Sequence, residues 1–190
     1  DVKSAGKYDG AIPPETFAEL MNAAKAMTGG GVYGGGLIGL SATHSISLTW
    51  LTLYKGWTNK QLYDEKWNPI FNSPEGVASL QWMCDFKEYC APGVASWRDD
   101  ELATAMREAI AATGIQWASH SPSNEDPKAS KVTGKIDYGL TPHREGMKSV
   151  PTLGCWGMSI ATNSVHKDAT WELCKFCLLY TSDAADEEDS

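Results

Sequence analysis

The sequence predicts an α/β layered fold, and three observations carry that reading. Helical hydrophobic patterns alternate with short apolar runs of strand length along most of the chain. Pro and Gly punctuate the joints between them. At 190 residues the chain can form one domain with a real core, or one lobe plus a piece of another.

Taken in order, residues 1–12 read as loop, and Pro13 and Pro14 stop a helix from running through them. Thr16 and Glu19 have the spacing of a capping box, so a helix begins there, with Phe17, Leu20, Met21, Ala24 and Met27 on its apolar face. Gly29, Gly31 and Gly34 match GxGxxG as a bare pattern. A helix precedes them where a dinucleotide site needs a strand, so residues 30–40 read instead as a Gly-rich strand with its turns. Residues 43–54 form a buried helix with Ile46, Trp50, Leu51 and Tyr54 on one side, and residues 56–69 form a polar connection. Trp57 and Trp67 have no assignment from pattern alone.

Ser73 caps the next helix with Pro74 in its first turn, and Val77, Leu80, Met83, Cys84 and Phe86 are expected to face the core. Pro92 and Gly93 break it. Asp99 or Asp100 caps a further helix whose stripe is Leu102, Ala105, Met106, Ala109 and Ile110. Residues 113–118, 136–140 and 155–161 read as short strands, and 119–131 as a polar loop. Asn163 or Ser164 is expected to cap the last helix. Trp50, Trp82 and Trp171 lie within helices and are assigned to the core.

The formal charge is −8, but five acidic residues fall in the last eight positions, and without them the chain carries −3. There is no basic stripe, which argues against a nucleic-acid partner. No apolar run has the length of a membrane span. The five cysteines are odd in number and lack disulfide or zinc spacing; they read as small apolar fillers, and the Cys174–Cys177 CxxC lacks a second pair. No HExxH or GxSxG occurs. Asp99, Asp100 and Glu101 suggest the paired carboxylates of a glycosidase, but three acids at a helix start are better explained by capping and the helix dipole. No catalytic residue, metal site or cofactor is assigned.

Two tryptophans, Trp97 and Trp117, each stand where one element gives way to another. Flat aromatic faces at such junctions suit sugar rings, whose C–H faces stack on them while polar groups at the rim meet the hydroxyls.

Five segments then carry a family resemblance in order: IPPETFAELMNAAKAMT, FNSPEGVASLQWM, GVASWRDDELATAM, KVTGKIDYGLTP and GCWGMSIATNSVHKDATWELCKF. Together they resemble the carbohydrate-binding, maltose-binding-like extracellular solute receptors of ABC importers. Phe17 replaces the family's usual Trp, Arg98 and Asp99 replace its usual Gly-Trp, and Ala111 and Ala112 replace its Gly-Lys turn. The resemblance implies a type II periplasmic-binding-protein fold, with one lobe (the C-terminal) nearly complete plus one strand and helix of the other. Residues 1–154 would be the C-terminal lobe and 155–176 the return into the N-terminal lobe. The run from Cys177 resembles a translated sequencing adapter, so 177–190 is expected to be a non-native acidic tail.

The same resemblance implies a receptor, not an enzyme, that traps a sugar, oligosaccharide or polyol between lobes. Trp97, Trp117 and Trp156 would stack on it, His44, Ser45 and Ser47 would bind hydroxyls, and Arg98 would bias the cleft toward an acidic or heavily hydroxylated ligand. The partners would be that ligand and the importer's membrane subunits. The protein would be a periplasmic or extracellular monomer, with lipid anchoring through an absent N-terminus as one option. The alternatives are the same fold binding a polyamine or iron chelate, or a glycoside-processing enzyme.

Overall fold

The computed structural model describes residues 10, 13–40, 45–154 and 156–180. The chain divides between Thr152 and Leu153 into two units. The first holds five helices among its described residues: α1 (Phe17–Met27), α2 (Ser45–Thr58), α3 (Pro74–Phe86), α4 (Asp99–Arg107) and the short α5 (Ser121–Glu125).

Helix α1 starts where its sequence says it should. The Thr16 hydroxyl accepts from the Glu19 amide (3.1 Å), and the Glu19 carboxylate accepts from the Thr16 and Glu15 amides (2.9 and 3.0 Å). These bonds satisfy amide donors that the first helical turn otherwise leaves unpaired. They also hold the Glu19 carboxyl below its ordinary pKa, the Thr16 amide contributing most. Phe17, Leu20 and Ala24 on this helix enter the main core with Leu37, Leu53, Trp82, Met83, Phe86 and Val94.

The centre of that core is aromatic. Phe17 packs between Trp57 and Trp82 with both ring centroids at 5.0 Å, and Trp82 stacks on Phe86 at 4.8 Å. Two of the indole N–H groups at this core have partners. Trp82 donates to the Phe17 carbonyl (3.2 Å) and Trp50 to the Ser79 hydroxyl (3.1 Å), so these rings carry no unpaired donor into the interior. Trp57 thus finds its place because α2 runs on to Thr58, four residues past the expected end.

Helix α3 is capped by Ser73 with Pro74 at its first position, as its sequence indicates. Its buried face, however, is Gly76, Ser79, Trp82, Met83 and Phe86, while Val77 and Leu80 are 59% and 50% exposed and Cys84 is exposed. The helix is rotated from the expected face because the wide Trp82 ring goes inward and Gly76 and Ser79 let the neighbouring chain approach. A Cβ on Gly76 would sit 2.0 Å from the Phe71 carbonyl oxygen. Cys90 and Cys174 are buried as apolar fillers, and burial pushes the Cys90 thiol up to about 12.

The runs read as strands build no ladder among the described residues. Residues 32–40 are the central segment. They meet neighbours through single parallel bridges, Tyr33 with Ala111 and Gly35 with Cys90. On the first side, Tyr33 donates to Ile110 and accepts from Ala112 (both 2.8 Å), but the next bond is made by the Thr113 hydroxyl on the Gly34 carbonyl (2.7 Å), which takes the place of a backbone rung. On the other side, Pro92 and Gly93 (φ +85°) turn the chain into a 3-10 turn, Val94–Ser96, soon after the bridge. The expected strand at 136–140 forms no bridge. Pairing falls later, where His143 exchanges backbone bonds with Glu15 and Phe17 (both 3.0 Å).

Helix α4 is preceded by Arg98, whose amide donates to the Glu101 carboxylate (2.8 Å), while Asp99 and Asp100 are its first helical residues. Leu102, Ala103, Ala105 and Met106 are buried, but the helix ends at Arg107. Ala109 (φ +58°) and Ile110 fall outside it, and both are exposed.

In the second unit, residues 156–161 form neither helix nor bridge. Helix α6 (Lys167–Lys175) starts after His166, two residues past the expected cap Ser164 and three past Asn163, and passes into a wider π-type turn, Phe176–Tyr180. Cys174 is its buried residue, whereas Trp171 is 56% exposed, contrary to its assignment to the core. Among the described residues of this unit, α6 is the one α-helix.

Candidate ligand-binding site

Two of the three parallel segments of the first unit end at residues singled out as binding candidates. Segment 32–40 ends at Leu40, the segment through Cys90 at Trp97, and the segment through Ala111 at Trp117. In open α/β sheets, ligands bind beyond the carboxyl ends of the strands, where loops diverge. Here those ends are joined. The Trp97 carbonyl accepts from the Gly39 and Leu40 amides (both 3.0 Å), and the Thr49 hydroxyl of α2 donates to the Ile38 carbonyl (3.0 Å). The first turn of α2, with Ser45 and exposed Ser47, is therefore anchored beside the same edge.

A further tie was not visible in the sequence. His120 Nε2 lies 2.6 Å from Asp99 Oδ2, with side-chain exposures of 17% and 35%. Asp99 follows Trp97 by two residues, and His120 closes a 3-10 turn (Ala118–His120) entered from Trp117. The pair thus fixes the two tryptophan junctions to each other. Of the three acids at the start of α4, Asp99 and Glu101 are committed to holding this junction together. Three buried polar atoms nearby in sequence, Asp99 Oδ1, Gln116 Nε2 and Asn124 Oδ1, have no hydrogen-bond partner.

Trp97 is half-buried. It packs against both hydrophobic clusters and also lines a shallow groove of about 320 Å³ with Asp100, Glu101, Thr104, Ala105 and Ile110. Trp117 is also half-buried, and Arg98 is exposed. The structure therefore brings Trp97, Arg98, Trp117 and the start of α2 to one edge of the first unit. Trp156 lies in the second unit, fully exposed. His44 lies outside the described residues. Among the described residues, no group of three or more His, Cys, Asp or Glu side chains is placed to hold a metal ion, and no helix is long and apolar enough to cross a membrane.

The fold of the chain is similar to that of several solved proteins. A ribitol complex of an ABC transporter solute-binding protein from Agrobacterium radiobacter K84 matches with a TM-score of 0.80 at 26% identity, over 93% of this chain and 44% of that one. The maltose-bound MalE3 of T. maritima matches with a TM-score of 0.82 at 24% identity, over 95% of this chain and 46% of that one. A tagatose-bound solute-binding protein from Thermotoga lettingae TMO matches with a TM-score of 0.71 at 25% identity, over 86% and 42%. The chain spans less than half the length of these structures.

The fold is thus that of a type II periplasmic binding protein, represented here by part of its α/β architecture. The family model for bacterial extracellular solute-binding proteins matches residues 2–181, and the chain belongs to that family. That match runs five residues past Phe176, where the natural sequence is expected to end.

Proposed function

We propose that this chain is the larger part of one lobe of an importer-coupled receptor that captures a sugar, oligosaccharide or polyol. Residues 1–154 form the C-terminal lobe, 155–176 return toward the other lobe, and 177–190 take no part in binding. The observation that carries the reading is the clamped pair of junctions, Trp97 and Trp117 held together through Asp99 and His120 at the carboxyl edge. Two aromatic faces fixed in relation to each other are preorganised for a ring or an extended polyol, and lose little freedom on binding. Ser45 and Ser47 at the start of α2, and Arg98, supply polar groups at that edge, and His44 and Trp156 are proposed as further ligand contacts in the whole receptor. The ribitol, maltose and tagatose held by structurally similar proteins support the ligand class.

Closure of two lobes around the ligand supplies contacts that exist only in the closed state, and the closed form docks on the importer's membrane subunits outside the cytoplasm. The receptor binds and releases without turnover. Calorimetric titration of the full-length parent with ribitol, maltose and tagatose tests this. At least one ligand is expected to bind with a Kd of about 1 µM or tighter. Trp97→Ala and Trp117→Ala should each weaken it at least about tenfold, the range of base–aromatic and ring-stacking losses. Trp97→Ala should also lower the unfolding midpoint, because that ring packs against both hydrophobic clusters, so affinity is compared below that midpoint. Undiminished affinity in both variants, or hydrolysis of a glycoside by the parent, would overturn the reading.

A further inference from the structure

Between α2 and α3 the chain folds back on itself in a small hairpin. Ile70 donates to the Leu62 carbonyl (2.8 Å), Asp64 donates to the Asn68 carbonyl (2.9 Å), and Tyr63 bridges Pro69 in antiparallel fashion. One side chain organises the tip. Asp64 Oδ1 accepts from the Lys66 and Asn68 amides (both 2.8 Å), and its Oδ2 accepts from the Asn68 side-chain amide (2.9 Å). These bonds, the Asn68 side chain's above all, lower the Asp64 pKa.

The tip holds Trp67 at φ +63°, the left-handed region that Gly or Asn fills at little cost and that a bulky residue enters only with strain. The strain secures no packing, because Trp67 is 81% exposed. Turn geometry does not ask for tryptophan here, and neither does the core. What the position does is hold an indole in solvent beside the Tyr63 ring, 6.0 Å away at 43°. Tyr63 (44% exposed) in turn meets Phe71 edge-on at 6.2 Å, and Phe71 meets Trp50 at 5.8 Å. The platform is thus rooted in the core through a chain of rings. Strained residues held by over-determined surroundings gather at functional positions.

We propose that Trp67 and Tyr63 form a glycan-contact surface on this hairpin, separate from the Trp97–Trp117 edge. Its size favours a sugar over a protein. Two exposed rings offer far less than the roughly 800 Å² per partner of a stable protein interface. Their flanks, Asp64, Glu65, Lys66 and Asn68, are all exposed and polar, which suits hydroxyls at the rim of a stacked ring.

The test is indole N–H nuclear magnetic resonance on the chain, titrated with maltoheptaose, cellohexaose and mannitol up to about 10 mM, a weak-binding range. The Trp67 signal is assigned by its loss in Trp67→Asn, a variant compatible with the left-handed turn and therefore expected to unfold no earlier than the parent. A saturable shift of that signal with at least one oligosaccharide, abolished in Tyr63→Ala, supports the proposal. A linear shift, or none with any of the three, overturns it. Broadening with protein concentration in the absence of glycan overturns it too, in favour of self-association. The Trp97 and Trp117 signals report on the other site separately, so either reading can fail without the other.

Discussion

A single carboxylate shows how much local order one side chain can hold here. Glu19 closes the capping box of α1 by accepting two amides, and its pKa is lowered mainly by the Thr16 amide. A lowered folded-state pKa means that the charged form stabilises the fold above the unfolded value of 4.5, and that this contribution is lost as pH falls through the folded value. Glu19→Gln should therefore be less stable than the parent near neutral pH and converge with it in acid, which urea unfolding across that range would reveal. Equal stability at every pH would show that the charge adds nothing to the cap. This residue was legible from sequence because its partner lies three positions away. The Asp99–His120 pair was not, because its members are 21 residues apart and each alone resembles an ordinary cap or a surface histidine. Trp97 and Trp117 were legible as candidates by their position at element ends; what ties them together was not.

At the scale of elements, the glycines of the central segment decide where it can lie. A Cβ on Gly34 would fall 1.7 Å from the Ala24 carbonyl oxygen of α1, and one on Gly39 would fall 2.4 Å from that of Val94. Both obstacles are backbone, which cannot swing aside as a side-chain end can. Gly30, by contrast, has open space around its Cβ position and a φ of +63°. Gly34→Ala is expected to cost about 3 kcal/mol or more through overpacking, and Gly30→Ala about 1 kcal/mol for its left-handed backbone. Comparable losses at the two positions in denaturant titrations would contradict this account. Helix starts were the readable part of the fold, since caps are local chemistry. Strand pairing was not, because whether residues 113–118 form rungs depends on a hydroxyl that reaches across the chain. The face of α3 was misjudged for a similar reason: Val77 and Leu80 are hydrophobic enough for a core, but Gly76 and Ser79 are what the neighbouring chain can approach.

For the molecule as a whole, the two units differ in how they are held. The first is closed by an aromatic core and by contacts between distant segments. In the second, residues 156–163 are exposed or only partly buried, and Leu153, Trp156, Met158 and Val165 stand in solvent. Limited proteolysis with chymotrypsin should cut first within residues 153–165 and leave a protected fragment ending near Thr152. Early cleavage within α1 to α4 would instead show that the first unit is the looser one. The division into units was approachable from sequence through the family resemblance; Pro151, Gly154 and Gly157 flank the boundary, but Pro and Gly punctuate the other joints of the chain as well.

The closing contacts of the first unit have a consequence for the order of events during synthesis. Asn59 bonds both backbone groups of Lys148, 89 residues later, and the Thr52 hydroxyl meets that of Thr152 at a separation of 100 (2.6 Å). The start of α1 waits in the same way for the carbonyl of His143. A chain emerging from the ribosome can form its capped helices early, but cannot fasten them until nearly all of this unit has appeared, and loops of that length close slowly. Until residue 152 has appeared, these contacts have no partner and the unit cannot close.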